Sequence, residues 1–520
     1  MSRTRRVLGG TALGYAHQAA ILAVGLWLTP FLLGRLGAPS LGLWLVIGQI
    51  LGYLALLDFG VVAILPREIA FASGNPDRGE ARDRIGTLIA RVKAIVRWQL
   101  PIIAIVCVLL WLLMPEGWQE LEVPLALILI VFVVTYPARI SLAVLQGAQD
   151  LTFLARIQIV AWAAGTATSV LLVMTGGGIL SLAGGWAVTT ALPALAALRR
   201  ASRIYPAVPI QAAISSSRPY FQRSVWVSVG QIAQVLLNGS DVLVLGFVLG
   251  PAAVVAYSCT GKLVTVFANH PYMLMHGSQP AISELRGAGA RDQLIRATTA
   301  LTQAMLMMSG ALVAVILPAN LAFVSWWVGP AQYGGWTLSV AFAAMMLMRH
   351  CNVAVIYTLF CFGYERQLSL TSLADGVVCV AGAMVLIPWL GAAGAPLASV
   401  LGVMLVSLPL NLRGVARELG LSVAEFLAPS AELLKRLAIG TVAAAAAAYW
   451  LPGQSIVFSV MAMACVAGGY VLLIAPIAWN GPAGPYARTV LSAAQDRFAC
   501  LARVEPALDR WLRPAGAGQP

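Results

Sequence analysis

Residues 41–65 form an apolar run of twenty-five residues in which Asp58 is the only ionisable side chain. At about 1.5 Å of rise per residue, a helix of this length covers ~37 Å, which is enough to cross a bilayer with some tilt. A tight turn rich in Gly and Pro (34–40) precedes the run, and Pro66 with the charged residues Arg67 and Glu68 follows it. The stretch therefore predicts a membrane helix that carries one acid.

Similar runs recur along the whole chain. The chain has 520 residues, of which 60% are hydrophobic and 10% charged, whereas soluble domains carry about 25% charged residues. We therefore predict an all-α polytopic membrane protein with about fourteen transmembrane helices. The predicted spans are residues 11–33, 41–65, 98–115, 123–145, 153–175, 178–198, 221–248, 252–275, 297–317, 333–357, 367–389, 392–411, 435–451 and 455–478.

The connections between these runs alternate in charge. One set is short and uncharged or acidic, and the other holds nearly all the arginine. Cytoplasmic loops of membrane proteins are enriched in Lys and Arg, so we expect both termini in the cytoplasm, with Arg35 and Lys262 as the only basic residues elsewhere. The net charge of +13 then faces anionic lipid headgroups. Because the basic residues are spread over many segments, we expect no nucleic-acid partner.

Two halves of the chain share a pattern at a constant offset of 213 residues, which indicates an internal repeat. The clearest matches are Leu36-Gly37 with Leu249-Gly250 and Gly48 with Gly261. Parallel repeats of this kind are an architecture of secondary transporters. The predicted organisation is a six-helix bundle at 1–198 with an interfacial segment at 66–97, a cytoplasmic linker at 199–220, a second six-helix bundle at 221–411, an interfacial segment at 412–436, two further helices within 437–480 and a cytoplasmic tail at 481–520.

The sequence holds none of the usual signatures of a soluble enzyme. It lacks a Gly-rich phosphate loop followed by Lys-Ser/Thr, and its seven cysteines show neither metal-ligand nor disulfide spacing. We therefore expect no cofactor and no metal. A membrane-embedded O-antigen ligase or polymerase stays an alternative, but such enzymes usually expose a large outer loop with several acids or arginines. The longest predicted outer loop, 318–332, contains neither.

The stretch LLGRLGAPSLGLWLV, with YLALLDFGV and REIA after it, resembles the opening of Wzx-type polysaccharide flippases of the MOP transporter superfamily. That superfamily also holds MATE exporters and lipid II flippases. The resemblance covers residues 10–90, and Leu41 departs from the tyrosine usual in this motif. It implies two six-helix bundles in a V around a central cavity, and alternating access.

The resemblance also implies the transported molecule. It is an undecaprenyl-pyrophosphate-linked oligosaccharide that moves across the bacterial inner membrane for surface polysaccharide biosynthesis, coupled to an ion gradient. The implied partners are this substrate and membrane lipids, with a polysaccharide polymerase and a chain-length regulator as candidate protein partners, and we expect a monomer. A MATE-type exporter of drugs or cations is the alternative transporter, although such exporters carry an acid in the first span, where this chain has only His17.

Asp241 and Lys262 lie at similar distances on either side of the turn near residues 250–251. The helical rise places both near the bilayer midplane, where a charge costs at least ~2.5 kcal/mol without a partner or a cavity. We predict an ion pair between them. The pair is either purely structural or part of the substrate cavity, in which case Lys262 attracts the pyrophosphate. Gln49, the repeat equivalent of Lys262, is a third cavity candidate.

Asp58 is predicted near the cytoplasmic end of its span, at the same depth as His17 in the first span. Histidine titrates near neutral pH, so the two are candidates for ion coupling or a gate. The alternative is that Asp58 caps the end of its helix beside Gly60. Pro30 is a candidate hinge because proline removes a backbone hydrogen bond from the first helix, and the alternative is a bend tolerated by packing.

A further polar group is predicted across the turn at 358–366. Asn352 and Asp375 are expected to approach each other and are candidates for the substrate cavity. Arg349 and His350, expected one turn nearer the cytoplasm, are candidates for a gate. An interfacial anchor is the alternative role for Arg349.

Overall fold

The computed structural model describes residues 3–73, 78–115, 117–204, 218–450 and 456–482, together with 484, 485 and 488. Throughout these residues every regular element is a helix, as predicted. The chain divides into two compact units, residues 1–255 and 256–520. Most of the predicted linker (205–217) and most of the predicted tail lie outside the described residues.

The described residues of the first unit form eight α-helices and the first half of a ninth. Their bounds are α1 Arg3–Ala55, α2 Val61–Ala72, α3 Arg78–Leu112, α4 Glu122–Thr135, α5 Ala138–Gly147, α6 Leu151–Met174, α7 Leu180–Ile204, α8 Arg218–Val248 and α9 Pro251–Thr260. Contacts place α8 in this unit, whereas the sequence assigns residues 221–248 to the second bundle. The grouping into six plus six helices stays a prediction.

The second unit continues from the second half of α9. Its helices are α10 Lys262–Phe267, α11 Asn269–Gly287, α12 Arg291–Val328, α13 Trp336–Cys361, α14 Glu365–Leu390, α15 Gly394–Gly402, α16 Leu408–Leu419, α17 Val423–Leu427, α18 Ala431–Trp450 and α19 Ile456–Asn480. Residues 403–407, between α15 and α16, form a short π-helix.

The described residues contain nine helices long and apolar enough to span a membrane, or up to eleven if two bent pairs each count as one span. Two of the nine, His17–Asp58 with 42 residues and Glu365–Leu419 with 55 residues, are long enough to hold two predicted spans each. The first contains a break at Gly37, where φ is 78° and ψ is 166°. The multi-pass architecture is confirmed, and the count of fourteen stays a prediction.

The break at Gly37 is where the sequence predicts a turn. Instead of a turn over residues 34–40, the structure has a kink at the single residue Gly37, whose positive φ changes the direction of α1. Gly250, its equivalent at the offset of 213 residues, also has a positive φ, of 87°. Pro30 lies inside α1 without such a break, and its role as a hinge stays a prediction. Prolines are tolerated in membrane helices because neighbouring groups satisfy the freed backbone.

The core of the first unit is apolar and closely packed. Leu65 and Ile69 of α2 are fully buried with Tyr136 and Leu145. A Cβ at Gly147 would lie 2.8 Å from both the Pro66 carbonyl oxygen and the Ile69 side chain, so α5 can approach α2 this closely only with glycine there.

The second half of α1 packs along α8 in the same way. A Cβ at Gly42 would collide with the Pro251 backbone, and one at Gly239 would collide with the Gln49 side chain. The hydroxyl groups of Tyr53 and Ser240 are 2.5 Å apart. Small residues thus let these two helices approach closely, and a hydrogen bond fixes their register.

Candidate functional site

A buried ion pair joins α13 and α14 of the second unit. The Arg349 guanidinium donates to Asp375 Oδ2 at 3.0 Å, with 1% of the Asp375 side chain and 17% of the Arg349 side chain exposed. Removing charges from water costs several kcal/mol per ion. This cost is offset only where partners satisfy the remaining donors and acceptors, and both residues have such partners.

The partners of the pair come from α14, α15 and the π-helix. Arg349 donates from Nε and Nη2 to Ser399 Oγ at 2.9 and 2.7 Å, and from Nη2 to Cys379 Sγ at 3.2 Å. The Ser407 hydroxyl donates to Asp375 Oδ2 at 2.7 Å. Arginine suits this position because its five donors are held in a fixed planar arrangement. The ion pair therefore ties α15 and the π-helix to α13 and α14.

A chain of neutral hydrogen bonds extends the cluster. Asn352 Nδ2 donates to Ser407 Oγ at 2.8 Å, and Asn411 Nδ2 donates to Asn352 Oδ1 at 3.0 Å. The Thr371 hydroxyl donates to Asn411 Oδ1 at 3.2 Å. Ser407 ends the π-helix at 403–407, an irregularity that is frequent at functional sites. We refer to Arg349, Asn352, Thr371, Asp375, Ser399, Ser407 and Asn411 as the polar cluster.

The polar cluster contains three of the residues that the sequence predicts as site candidates, namely Arg349, Asn352 and Asp375. Asn352 and Asp375 do lie in one place, and Ser407 joins them by hydrogen bonds to both. Arg349 and His350 precede Asn352 on α13, so they lie farther from the turn at 358–366, and their position relative to the cytoplasm stays a prediction. Arg349 is paired inside the bundle and is not an interfacial anchor. The sequence analysis missed Thr371, Ser399, Ser407 and Asn411, although polar residues within the apolar runs 367–389 and 392–411 could have indicated them.

His350 is fully buried beside the polar cluster. Its Nε2 lies 3.0 Å from the Ala268 carbonyl oxygen, and its Nδ1 lies 2.6 Å from Ser309 Oγ. Tyr272 packs its ring edge-on against the imidazole at a centroid distance of 5.1 Å. Ala268 is the residue between α10 and α11. The histidine therefore ties α12 and α13 to this junction.

The hydrogen bonds around His350 depend on its protonation. Nε2 must donate, since a carbonyl oxygen only accepts. Ser309 Oγ lies 2.6 Å from the Met305 carbonyl oxygen as well as 2.6 Å from Nδ1, and its single proton serves only one of them. If the hydroxyl donates to Met305, Nδ1 must donate to the hydroxyl. All three contacts are thus hydrogen bonds at once only when the imidazole carries two protons.

A second break, at Gly261, precedes Lys262. The helix axis bends by 53° between Pro251–Thr260 and Lys262–Gly287. Asn320 Nδ2 donates to the Thr260 carbonyl oxygen at 3.0 Å, and the Thr260 hydroxyl accepts from the Gly334 amide at 2.8 Å. A Cβ at Gly261 would lie 2.6 Å from the Phe342 ring. Lys262 follows this break half-buried, with Nζ 5.9 Å from the centre of the Trp327 ring, an arrangement that favours a cation.

The candidates of the first unit lie in separate places. Asp58 is buried and accepts from the Gly60 amide at 2.7 Å, and Gln99 donates to its carbonyl oxygen at 3.2 Å. Asp58 ends a short 3₁₀-helix at 56–58, and its bond to Gly60 is the contact that a cap at the end of its helix would make. Its role in ion coupling stays a prediction. His17 packs edge-on against Trp162, and no hydrogen bond or ion pair between His17 and Asp58 is found in the described residues.

The remaining cavity candidates are Gln49, Asp241 and Lys262. Gln49 is half-buried in α1 against Gly239 of α8. Asp241 lies in α8 of the first unit, where its Oδ1 accepts from the Val242 amide at 2.8 Å. Lys262 belongs to the second unit, and its ion pair with Asp241 stays a prediction. Within the described residues, no group of three or more His, Cys, Asp or Glu side chains could hold a metal.

Two solved structures of membrane transporters have the same fold as this chain. A multidrug resistance MATE family transporter of the MOP superfamily, in an inward-facing conformation, aligns at a TM-score of 0.59 and 15% identity, covering 79% of this chain and 95% of that one. The lipid II flippase MurJ, in an inward closed conformation, aligns at a TM-score of 0.62 and 10% identity, covering 88% of this chain and 98% of that one. At such identities the likeness shows the fold, which is that of the MOP superfamily.

The family follows from the sequence. Residues 27–285, about half of the chain, match the model of the family described as "Polysaccharide biosynthesis protein". The chain belongs to this family, as its resemblance to Wzx-type flippases predicts. A comparison with curated proteins finds no match.

Proposed function

We propose that this protein is a flippase that moves an undecaprenyl-pyrophosphate-linked oligosaccharide from the inner to the outer leaflet of the bacterial inner membrane, and that it is a transporter and not an enzyme. The observation that carries the proposal is the family match over residues 27–285 on a multi-pass helical fold. The lipid II flippase among the proteins of the same fold supports a lipid-linked substrate. Both termini are then cytoplasmic, and the substrate and membrane lipids are the main partners.

The polar cluster supports a role in conformational change. Transporters alternate between states in which packed helices exchange partners, and networks with two discrete arrangements can carry such coupling. The π-helix at 403–407 sits where Ser407 bonds to both Asp375 and Asn352. When one helix shifts, the groups of such a network can form hydrogen bonds with new partners. In this proposal the polar cluster is the element that switches during transport.

His350 is the proposed site for proton coupling. The ring is fully buried, and its neutral form with the proton on Nε2 donates to the Ala268 carbonyl oxygen and accepts from the Ser309 hydroxyl, which ties α12, α13 and the α10–α11 junction together. The titratable and charged groups around it are Tyr272 of α11 and the Arg349–Asp375 pair, whose charges offset each other. A second proton on Nδ1 would reverse the hydrogen bond between Ser309 and the ring and would add a charge to a fully buried site, so a proton entering at His350 biases the second unit away from this arrangement.

The proton role is tested with His350→Gln in the purified full-length protein. An imidazole that is buried in its neutral form must take up a charge to be protonated, so the stability of this arrangement is present near neutral pH and is lost as the pH falls. We expect the wild type to lose thermal stability towards acidic pH, and His350→Gln to lose less of it. His276→Gln is the matched control, because His276 is exposed and bonds only to Tyr357 in the described structure. A His350→Gln protein with the wild-type pH profile would contradict proton coupling at this residue.

Lys262 is the proposed attraction for the substrate pyrophosphate. Its place after the break at Gly261, beside Trp327, supports a cation held inside the membrane, where a charge acts more strongly than in water. Lys262→Met should keep a normal protein level and lose export, while the exposed Lys435→Met keeps both. If the residue only pairs with Asp241, the double change Lys262→Met/Asp241→Leu recovers export. That recovery would exclude the substrate role.

The proposed function itself is tested by deletion in the bacterium that encodes the protein. We expect lipid-linked oligosaccharide to accumulate on the inner leaflet, surface glycan to be lost and drug sensitivity to stay unchanged. A plasmid copy of the gene should reverse all three measurements to wild type. A deletion strain with normal glycan and raised sensitivity to cationic drugs would replace the proposal with a MATE-type exporter.

A further inference from the structure

The first unit contains a pocket of about 410 Å³ between α3, α5 and α7. This volume lies within the range of small-molecule sites. One face of α3 forms one wall, with Ile89, Lys93, Val96, Arg97 and Leu100, and α5 and α7 supply a largely apolar opposite wall. The lining residues that the structure describes include two cations and no acid. The pocket is separate from the polar cluster, which belongs to the second unit.

The pattern of exposure along α3 sets the depth of the pocket in the membrane. Residues 79–97 of α3 are rich in charge, whereas the exposed residues that follow are apolar: Trp98, Ile102, Ile105, Val108, Leu109 and Leu112. Trp98 is 80% exposed, and tryptophan is enriched where a helix enters the headgroup layer. Lys93 and Arg97 lie one helical turn apart at this boundary. They are therefore at the level of lipid phosphates, with the apolar wall beside them.

The two cations have no counter-charge in the described part of the chain. Lys93 and Arg97 are exposed, and neither has an acidic partner there, although other basic residues such as Arg200 do, in its ion pair with Asp150. Two adjacent positive charges repel each other when no anion is near. A phosphate bound between them would remove that repulsion, and an attached hydrocarbon chain would cover the apolar wall.

We propose that this pocket binds an anionic glycerophospholipid of the surrounding bilayer. Its phosphate is held by Lys93 and Arg97, and part of an acyl chain lies against Ile89, Val96, Ile140 and Val144. The occupant is a bilayer lipid because the cations lie at headgroup depth next to the lipid-exposed Trp98. The site is independent of the transported substrate and of the polar cluster.

The test measures lipid retention by native mass spectrometry of the purified full-length protein. The probes are phosphatidylglycerol, phosphatidylcholine and undecaprenyl phosphate. The wild type should retain one tightly held phosphatidylglycerol, and Lys93→Gln/Arg97→Gln should weaken this binding by about tenfold or more, because each basic residue near the surface contributes to anionic lipid binding. Phosphatidylcholine should be retained equally weakly by both proteins.

Two further variants keep the test decisive. The control variant Arg413→Gln/Lys435→Gln also removes one arginine and one lysine charge, but at exposed positions outside the pocket. This protein should retain phosphatidylglycerol as the wild type does. Ser141→Phe fills the pocket without changing its charge and should also weaken binding. Unchanged retention in Lys93→Gln/Arg97→Gln would overturn the proposal. Tighter binding of undecaprenyl phosphate than of phosphatidylglycerol at this site would overturn the choice of a bilayer lipid. Both results leave the deletion test of transport unaffected.

Discussion

Neighbouring helices are held together differently in the two units. In the first unit, α6 and α7 meet through small residues: a Cβ at Gly165 would collide with Thr189, and a Cβ at Gly185 would collide with Ser169. In the second unit, α14 and α15 also approach closely, with a Cβ at Gly382 only 3.1 Å from Ala398. There the buried Arg349–Asp375 pair and Ser399 are added to the contact.

The difference separates rigid packing from switchable packing. Two helices that pack through small residues fit closely in one register only. If one helix slides along the other, van der Waals contacts are lost. A network of ionic and hydroxyl groups is directional and can exchange partners, but it carries the cost of burying charge. The second unit therefore contains a network, the polar cluster, whose hydrogen bonds can rearrange when the conformation changes.

The largest effect is expected from removing one member of the ion pair. Asp375→Leu leaves the Arg349 guanidinium buried without its carboxylate, and such changes cost roughly 3–5 kcal/mol. We expect a large loss of stability, measured by thermal unfolding in detergent. Arg349→Met/Asp375→Leu should restore most of the stability while export stays low. If the double variant exports normally, the pair is purely structural and the contrast between the units disappears.

A smaller effect is expected at the glycine contacts of the first unit. Gly165→Ala forces α6 away from Thr189 and the Gly185 backbone, and overpacking typically costs about 1–3 kcal/mol. Gly48→Ala is the control, because a Cβ there meets nothing within 4 Å. Thermal unfolding of both variants checks the prediction. A Gly165→Ala protein as stable as Gly48→Ala would show that this contact can yield and is not rigid.

The smallest effect is expected at Asp58. Its Oδ1 accepts from the Gly60 amide, and one such hydrogen bond contributes about 1 kcal/mol to stability. Asp58→Ala should lower thermal stability by about that amount, and Asp58→Asn, which keeps an acceptor, should lower it less. Export and its pH dependence should be unchanged in Asp58→Asn. If export by Asp58→Asn no longer depended on pH, Asp58 would have a role in ion coupling. The first unit would then also take part in the conformational switch.

Sequence reasoning located the polar residues but not their partners. Helical rise and hairpin geometry placed Asn352 and Asp375 at matching depths, and both belong to the polar cluster. The same reasoning coupled His17 with Asp58, which the structure does not join. Depth along a helix follows from residue spacing, whereas the direction in which a side chain points depends on how each helix is rotated and which neighbour it meets.

The sequence by itself determined that the chain is helical and spans the membrane, because apolar runs of bilayer length leave no other way to satisfy the backbone. It also indicated the break at Gly37, since glycine adopts positive φ at little cost. Only the tertiary structure decided that Arg349 pairs with Asp375, that Ser407 lies on a π-helix between Asp375 and Asn352, and that His350 contacts the α10–α11 junction. These contacts join residues 26 to 82 positions apart. Their geometry depends on helix rotation and tilt, which packing sets and local sequence does not encode.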